Sequence, residues 1–194
     1  MPRKGRSREA PDELLASWAA GLPRGRALDL GAGDGSAAVW LAGLGFDVEV
    51  VERDPRSLRR LRRMAARGIL HVYAGDLRDF PFPRDAYVLV LVMAVLHFLP
   101  IADRELLADR IRAALRPGGL LIARVFVDGE NARPPAGVGH AAEFRPLAPG
   151  ELPGLFSTLQ VEENETYRWL APGARRGYRS GESLVARRPE SGGV

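Results

Sequence analysis

Cysteine is absent from the chain, so disulfides, thiolate metal sites and a cysteine nucleophile are all excluded. Lysine is nearly absent too. Lys4 stands alone, and arginine supplies the rest of the 28 basic residues. Aromatic residues make up only 7%, without the basic–aromatic interleaving that stacking on single-stranded nucleic acid requires. Long apolar runs are missing as well. The longest, Ala86 to Leu99, is interrupted by His97 and is too short to span a bilayer. The basic start (Arg3, Lys4, Arg6, Arg8) leads into Pro11, Asp12 and Glu13 rather than into an apolar signal core. These absences point to a cytoplasmic protein with no membrane association and no metal site.

What is present describes a globular chain. Hydrophobic residues make up 46% and charged residues 27% of 194, enough for one domain with a sizeable core and short for two. Residues 1–10 read as a basic flexible tail and 11–189 as a single domain. The net charge of +4 invites a nucleic-acid reading. However, Arg56, Arg59, Arg60 and Arg63 fall at i, i+3, i+4, i+7 opposite Leu58 and Leu61, the pattern of a solvated helix face.

Asp12 is placed to cap a short helix through Ala20. Apolar runs at 26–30, 46–52, 69–74, 86–92 and 120–127 alternate with helical segments at 36–44, 55–66 and 102–115. Strands apolar on both faces and separated by helices imply a parallel sheet covered on both sides. The pattern then loosens into a Gly-, Pro- and Ala-rich stretch at 129–150, followed by two further strands expected at 155–166 and 183–187. A loop of that length in a compact domain suits a lid.

The first strand ends in Asp29-Leu-Gly31-Ala-Gly33-Asp34-Gly35. Glycines there let the chain turn sharply and approach a ligand closely, and the following helix N-terminus presents free N–H groups. A dinucleotide fingerprint wants its third glycine or alanine where Ser36 stands. Here it comes one residue early. Glu52 ends the second strand, placed to accept from both ribose hydroxyls and to repel a 2′-phosphate. Asp76 follows the third strand, where its carboxylate can accept from an adenine amino group while the Leu77 N–H donates to the ring.

In order and spacing, Asp29-Leu-Gly-Ala-Gly-Asp-Gly35, Glu52, Gly75-Asp-Leu77 and Arg116-Pro-Gly-Gly119 resemble the class I S-adenosylmethionine (SAM)-dependent methyltransferases. The resemblance runs over about residues 12 to 188. It implies a Rossmann-like α/β fold with a seven-stranded, mostly parallel sheet in order 3-2-1-4-5-7-6, one strand antiparallel, and helices on both faces. It implies SAM as cofactor, becoming S-adenosylhomocysteine. Asp29, Gly31, Gly33 and Gly35 would hold the methionine part, Glu52 the ribose, and Asp76 with Leu77 the adenine, with Met93 beside the methyl group. Within the class, Gly45-Phe-Asp-Val48, Gly75-Asp-Leu-Arg-Asp-Phe80 and Glu182-Ser-Leu-Val-Ala-Arg-Arg-Pro189 look most like the tellurite-resistance-type small methyltransferases. Members of that branch often carry histidines in the loop before the last strand, where this chain has Arg175, Arg176 and Arg179.

Methyl transfer from a sulfonium needs positioning more than acid–base chemistry. A hydroxyl or amine acceptor would want a base, and His97, just after the fourth strand, is the candidate. His140, Glu143 and Arg145 lie on the long loop. The Asn/Asp-Pro-Pro-aromatic motif of many amine methylators does not follow strand four, and the covalent route to pyrimidine C5 needs a cysteine. A small-molecule acceptor with a soft or anionic nucleophile, such as a thiol or chalcogen oxyanion, is therefore expected. An RNA or protein methyltransferase, and a non-catalytic SAM-binding module, are the alternatives.

Overall fold

The computed structural model describes residues 12–128, 141–170 and 178–190. The elements run α1 (Glu13–Ala19), β1 (Arg26–Leu30), α2 (Ser36–Gly43), β2 (Asp47–Glu52), α3 (Pro55–Ala65), β3 (His71–Ala74), β4 (Tyr87–Met93), α4 (Ile101–Ala114), β5 (Leu115–Val127), α5 (Glu151–Leu155), β6 (Gln160–Leu170) and β7 (Tyr178–Arg187). The seven strands form one sheet in the order β3-β2-β1-β4-β5-β7-β6. All neighbours pair in parallel except β5 with β7 and β6 with β7, so β7 alone runs against the rest.

Alternation along the strands sorts the core onto two faces. Leu28, Leu30, Val90 and Val92 pack with Leu107 and Ile111 of α4 and Leu152 of α5. Ala27, Val48, Val50, Leu89 and Leu91 pack with Leu15 of α1, Leu41 of α2 and Leu61 of α3. Each fully buried leucine contributes about 1.5–3 kcal/mol. Helix α3 matches its pattern closely. Asp54 accepts from Ser57 N at the N-cap, Pro55 opens the first turn, and Leu58 and Leu61 are buried. The arginines at 56, 59, 60 and 63 are exposed.

The C-terminal third departs from expectation in two places. The strand expected to start at Leu155 begins at Gln160, because Gly150 at φ +80° starts a short helix there and the Glu151 carboxylate accepts from Ala148 N. Arg116-Pro-Gly-Gly119 stops α4 but lies within β5 rather than before it. Gly118 N donates to Arg188 O and Arg188 N to Gly119 O, tying the turn to the end of β7. The expected tail, most of the 129–150 loop with His140, and Arg175 and Arg176 lie outside the described residues. No helix among the described residues is long and apolar enough to cross a membrane.

Candidate active site

Strand order reverses between β1 and β4, and a cleft opens there beyond the carboxyl ends of the strands, where ligands bind in open α/β sheets. Its volume is about 590 Å³, and its walls include Gly31, Gly33, Glu52, Asp76, Leu77 and Phe98. The loop after β1 shapes one wall. Gly31 sits at φ +71°, and a Cβ there would come within 2.5 Å of Val95 Cγ2, so only glycine fits. Gly35 also has positive φ but faces α3, where a Cβ would meet Leu61 Cδ2 at 2.6 Å. Gly31 and Gly33 border the cleft, while Gly35 lets α2 and α3 pack closely.

Glu52 is buried at the end of β2. One carboxylate oxygen accepts from Gly33 N at 2.8 Å, and the other from Arg53 N at 2.7 Å and Asp54 N at 2.8 Å. The glycine loop is thereby tied to β2 through this side chain. A carboxylate has about four acceptor positions, so the backbone claims most of them.

Asp76 caps a short 3-10 turn, Leu77–Asp79. Arg78 grips it through its backbone N and through two guanidinium nitrogens at 2.9 and 2.8 Å, and Arg53 Nη1 adds a contact at 3.3 Å. The Arg78 hydrogen bond, against the opposing effect of burial, holds this carboxyl down at about 2. Arg53 also pairs with Glu143, linking the cleft rim to the segment after β5. Neither Arg53 nor Arg78 was singled out from the sequence, although each adjoins or nearly adjoins a predicted residue. Arg53 was hidden because its reach from the end of β2 to Asp76 leaves no local pattern, whereas Arg78, two residues from Asp76, was open to local reasoning.

Asp29 is 3% exposed at the end of β1, and its Oδ2 has no hydrogen-bond partner. Burial first, then the charges of Glu52 and Asp34, push its pKa up to about 7. A carboxyl with one unpartnered oxygen and a pKa near neutrality, two residues before Gly31, suits a ligand carrying a cationic group. A cleft with hydrogen-bond acceptors at Glu52 and Asp76, apolar walls at Val51, Leu77 and Leu99, and the Gly31 and Gly33 backbone along one side fits a nucleoside joined to an amino acid.

His97 does not stand at the cleft wall. It is 0% exposed, with Phe98, Phe126 and Phe144 ring centroids 4.5, 4.7 and 5.4 Å from its own. Nδ1 accepts from Phe126 N at 3.2 Å, and Nε2 has no partner. Burial, and secondarily the Arg104 charge, hold its pKa near 3. The ring is a neutral packing element with its acceptor nitrogen already engaged, so the expected accessible base is not what this position offers.

Met93 ends β4 opposite Arg124. It lines a second, smaller cavity of about 230 Å³, with Asp12, Ala94, Arg124, Phe126 and Tyr167. Ala94 borders both cavities. It holds φ +59°, uncommon for a residue with a side chain. Asp12, expected only as a helix cap, does cap α1 through Leu15 N at 3.1 Å and also pairs with Arg124. No group of three or more His, Asp or Glu suited to a metal ion occurs among the described residues.

Comparison with known proteins matches residues 27–119 to the methyltransferase domain family. The uncharacterized methyltransferase YodH of Bacillus subtilis is 33% identical over 97 residues, covering 49% of this chain. This chain spans 40% of that relative's length. Among solved structures, a SAM-dependent methyltransferase of Methanosarcina mazei superposes with a TM-score of 0.71 at 16% identity, covering 94% of this chain and 100% of the other. TehB of Haemophilus influenzae gives 0.71 at 16% identity over 91% of this chain and 62% of its own. At such identities the superpositions speak for the fold alone.

Proposed function

We propose that this chain is a class I SAM-dependent methyltransferase that transfers the methyl group of SAM to a small-molecule nucleophile. One observation carries the reading. Gly31, Gly33, Glu52, Asp76 and Leu77 converge on a single cleft, with the buried Asp29 at the end of β1 close by in sequence, and Ala94 borders both this cleft and the smaller cavity. SAM supplies an activated methyl on a sulfonium, and the chain's own part is to hold, orient and shield.

In this reading Asp29 faces the ammonium of the methionine part, and the Gly31 and Gly33 backbone approaches its carboxylate. Glu52 takes the ribose through its remaining acceptor position. Asp76 and Leu77 take the adenine, and Met93 flanks the methyl from the side of the smaller cavity. Asp76 stays ionised under all ordinary conditions because Arg78 holds it so, and it is therefore a constant acceptor. His97 acts as a positioning residue whose Nδ1 fixes the backbone of β5 at Phe126.

With no accessible base at His97, the reading favours an acceptor that ionises unaided, a thiol or a chalcogen oxyanion. The test is S-adenosylhomocysteine formation by the purified chain with thiols, selenite and tellurite, against phenols and amines. Turnover confined to thiols or oxyanions supports the reading. Turnover only with amines, or only with RNA, contradicts it.

A further inference from the structure

Resting on that reading, we propose that the smaller cavity is the acceptor pocket and that Arg124 selects a small organic acid bearing a thiol. The cavity's walls are apolar at Met93, Ala94 and Phe126, and its charged groups are Arg124 and Asp12. The Arg124 guanidinium lies over the Tyr167 ring, 5.3 Å from its centroid, with Nη1 on the Asp12 carboxylate. Its Nε is buried and makes no hydrogen bond.

An arginine offers two hydrogen-bonding edges. Asp12 holds a nitrogen of the end-on edge, and the side-on edge containing Nε is the one with an unmet donor. A buried donor without a partner is costly. Arg124 borders the cavity, and a small turn of the guanidinium on the Tyr167 ring brings Nε to a ligand carboxylate there. The volume of about 230 Å³ equals that of about eight waters. A bare chalcogen oxyanion leaves most of such a cavity empty and gains nothing from its apolar walls. An organic acid places its carboxylate on Arg124 and its apolar body against Phe126 and Met93.

The choice of nucleophile follows from what the cavity lacks. Asp12 spends its carboxylate on Leu15 N and Arg124, leaving no strong base among the described lining residues. A thiol ionises near neutral pH and needs none. The thiolate sulfur bonds the methyl carbon near Ala94, which borders both cavities, as that carbon's bond to the sulfonium breaks. The bonding pair stays on the departing sulfur, which becomes a neutral thioether, and the acceptor's proton is lost to water.

The test is calorimetric titration of the full chain, saturated with S-adenosylhomocysteine, with thiosalicylate and with its uncharged isostere thiosalicylamide. A charge-assisted contact predicts that the acid binds about tenfold to a hundredfold tighter. Arg124→Met brings the two within a factor of about three of each other. Asp12→Asn keeps a good helix cap and removes the internal counter-ion, so it tightens the acid several-fold, a gain that no purely structural role produces. Titrating each variant with S-adenosylhomocysteine alone reports whether the larger cleft is intact. Equal binding of acid and amide, no binding of the acid, or full acid affinity in Arg124→Met overturns the pocket assignment while the cofactor reading stands. A chain that binds no S-adenosylhomocysteine overturns both.

Discussion

At the scale of single residues, the predicted cofactor set is informative because chemistry and position agree. Asp29, Glu52 and Asp76 stand at or just beyond the ends of three strands, so the strand pattern alone placed them along one sheet edge. What the sequence left hidden is the state of each acid, which depends on partners brought in by folding. Asp76 is clamped by Arg78, whereas Asp29 has an unpartnered oxygen and a pKa near 7. The folded value of Asp29 lies above the unfolded one. Folding therefore takes up a proton, and the Asp29 contribution to stability falls as pH rises from about 4 to about 7. A cationic ligand favours the ionised form, so binding releases a proton. SAM affinity should rise about tenfold from pH 6 to pH 8. Calorimetry across that range checks it, and Asp29→Asn should flatten the dependence. A flat profile in the unaltered chain contradicts the assignment of Asp29.

At the scale of elements, strands β1 to β5 and helices α2 to α4 were legible because apolar strand runs alternate with helix-length segments, and α3 also carries its own cap at Asp54 and Pro55. The failures share one cause. Glu151–Leu155 is too short, and too broken by Pro153 and Gly154, to carry a helical period. Likewise, the strand placement of Arg116-Pro-Gly-Gly119 depends on Arg188, far along the chain. His97 was singled out because it follows the fourth strand, and its burial by three phenylalanines from separate segments could not be read from that position. Arg104 organises that region. It is 1% exposed, donating through Nε to Leu96 O and Leu99 O, each at 3.1 Å, through Nη1 to Glu151 at 2.7 Å, and through Nη2 to Arg145 O. One side chain thus fixes the segment after β4, α5 and the approach to it. Arg104→Met takes a donor from Glu151 and from the carbonyls of Leu99 and Arg145, while Leu96 O keeps Leu99 N, and should cost about 3–5 kcal/mol. Denaturant unfolding measures this, and a loss below about 1 kcal/mol contradicts the role.

At the scale of the molecule, the two cavities are assembled from opposite ends of the chain. The larger draws on the segments after β1 to β4, and the smaller joins Asp12 before α1 to Arg124 on β5 and Tyr167 on β6. The first was foreseeable because each contributor follows its own strand. The second was not, because Asp12 and Arg124 are 112 positions apart and neither belongs to a motif. The basic balance of the chain has a plain structural reading, since the exposed arginines of α3 form the solvated face of a helix packed through Leu58 and Leu61.

The central claim is that the larger cleft is a SAM site. Calorimetric titration of the chain with SAM and, separately, with NAD tests it most directly, repeated on Glu52→Ala and Asp76→Ala. The account predicts micromolar binding of SAM alone, weakened about tenfold or more by either substitution. Binding of NAD instead, or no binding of SAM, would contradict it and leave the fold without the function proposed for it.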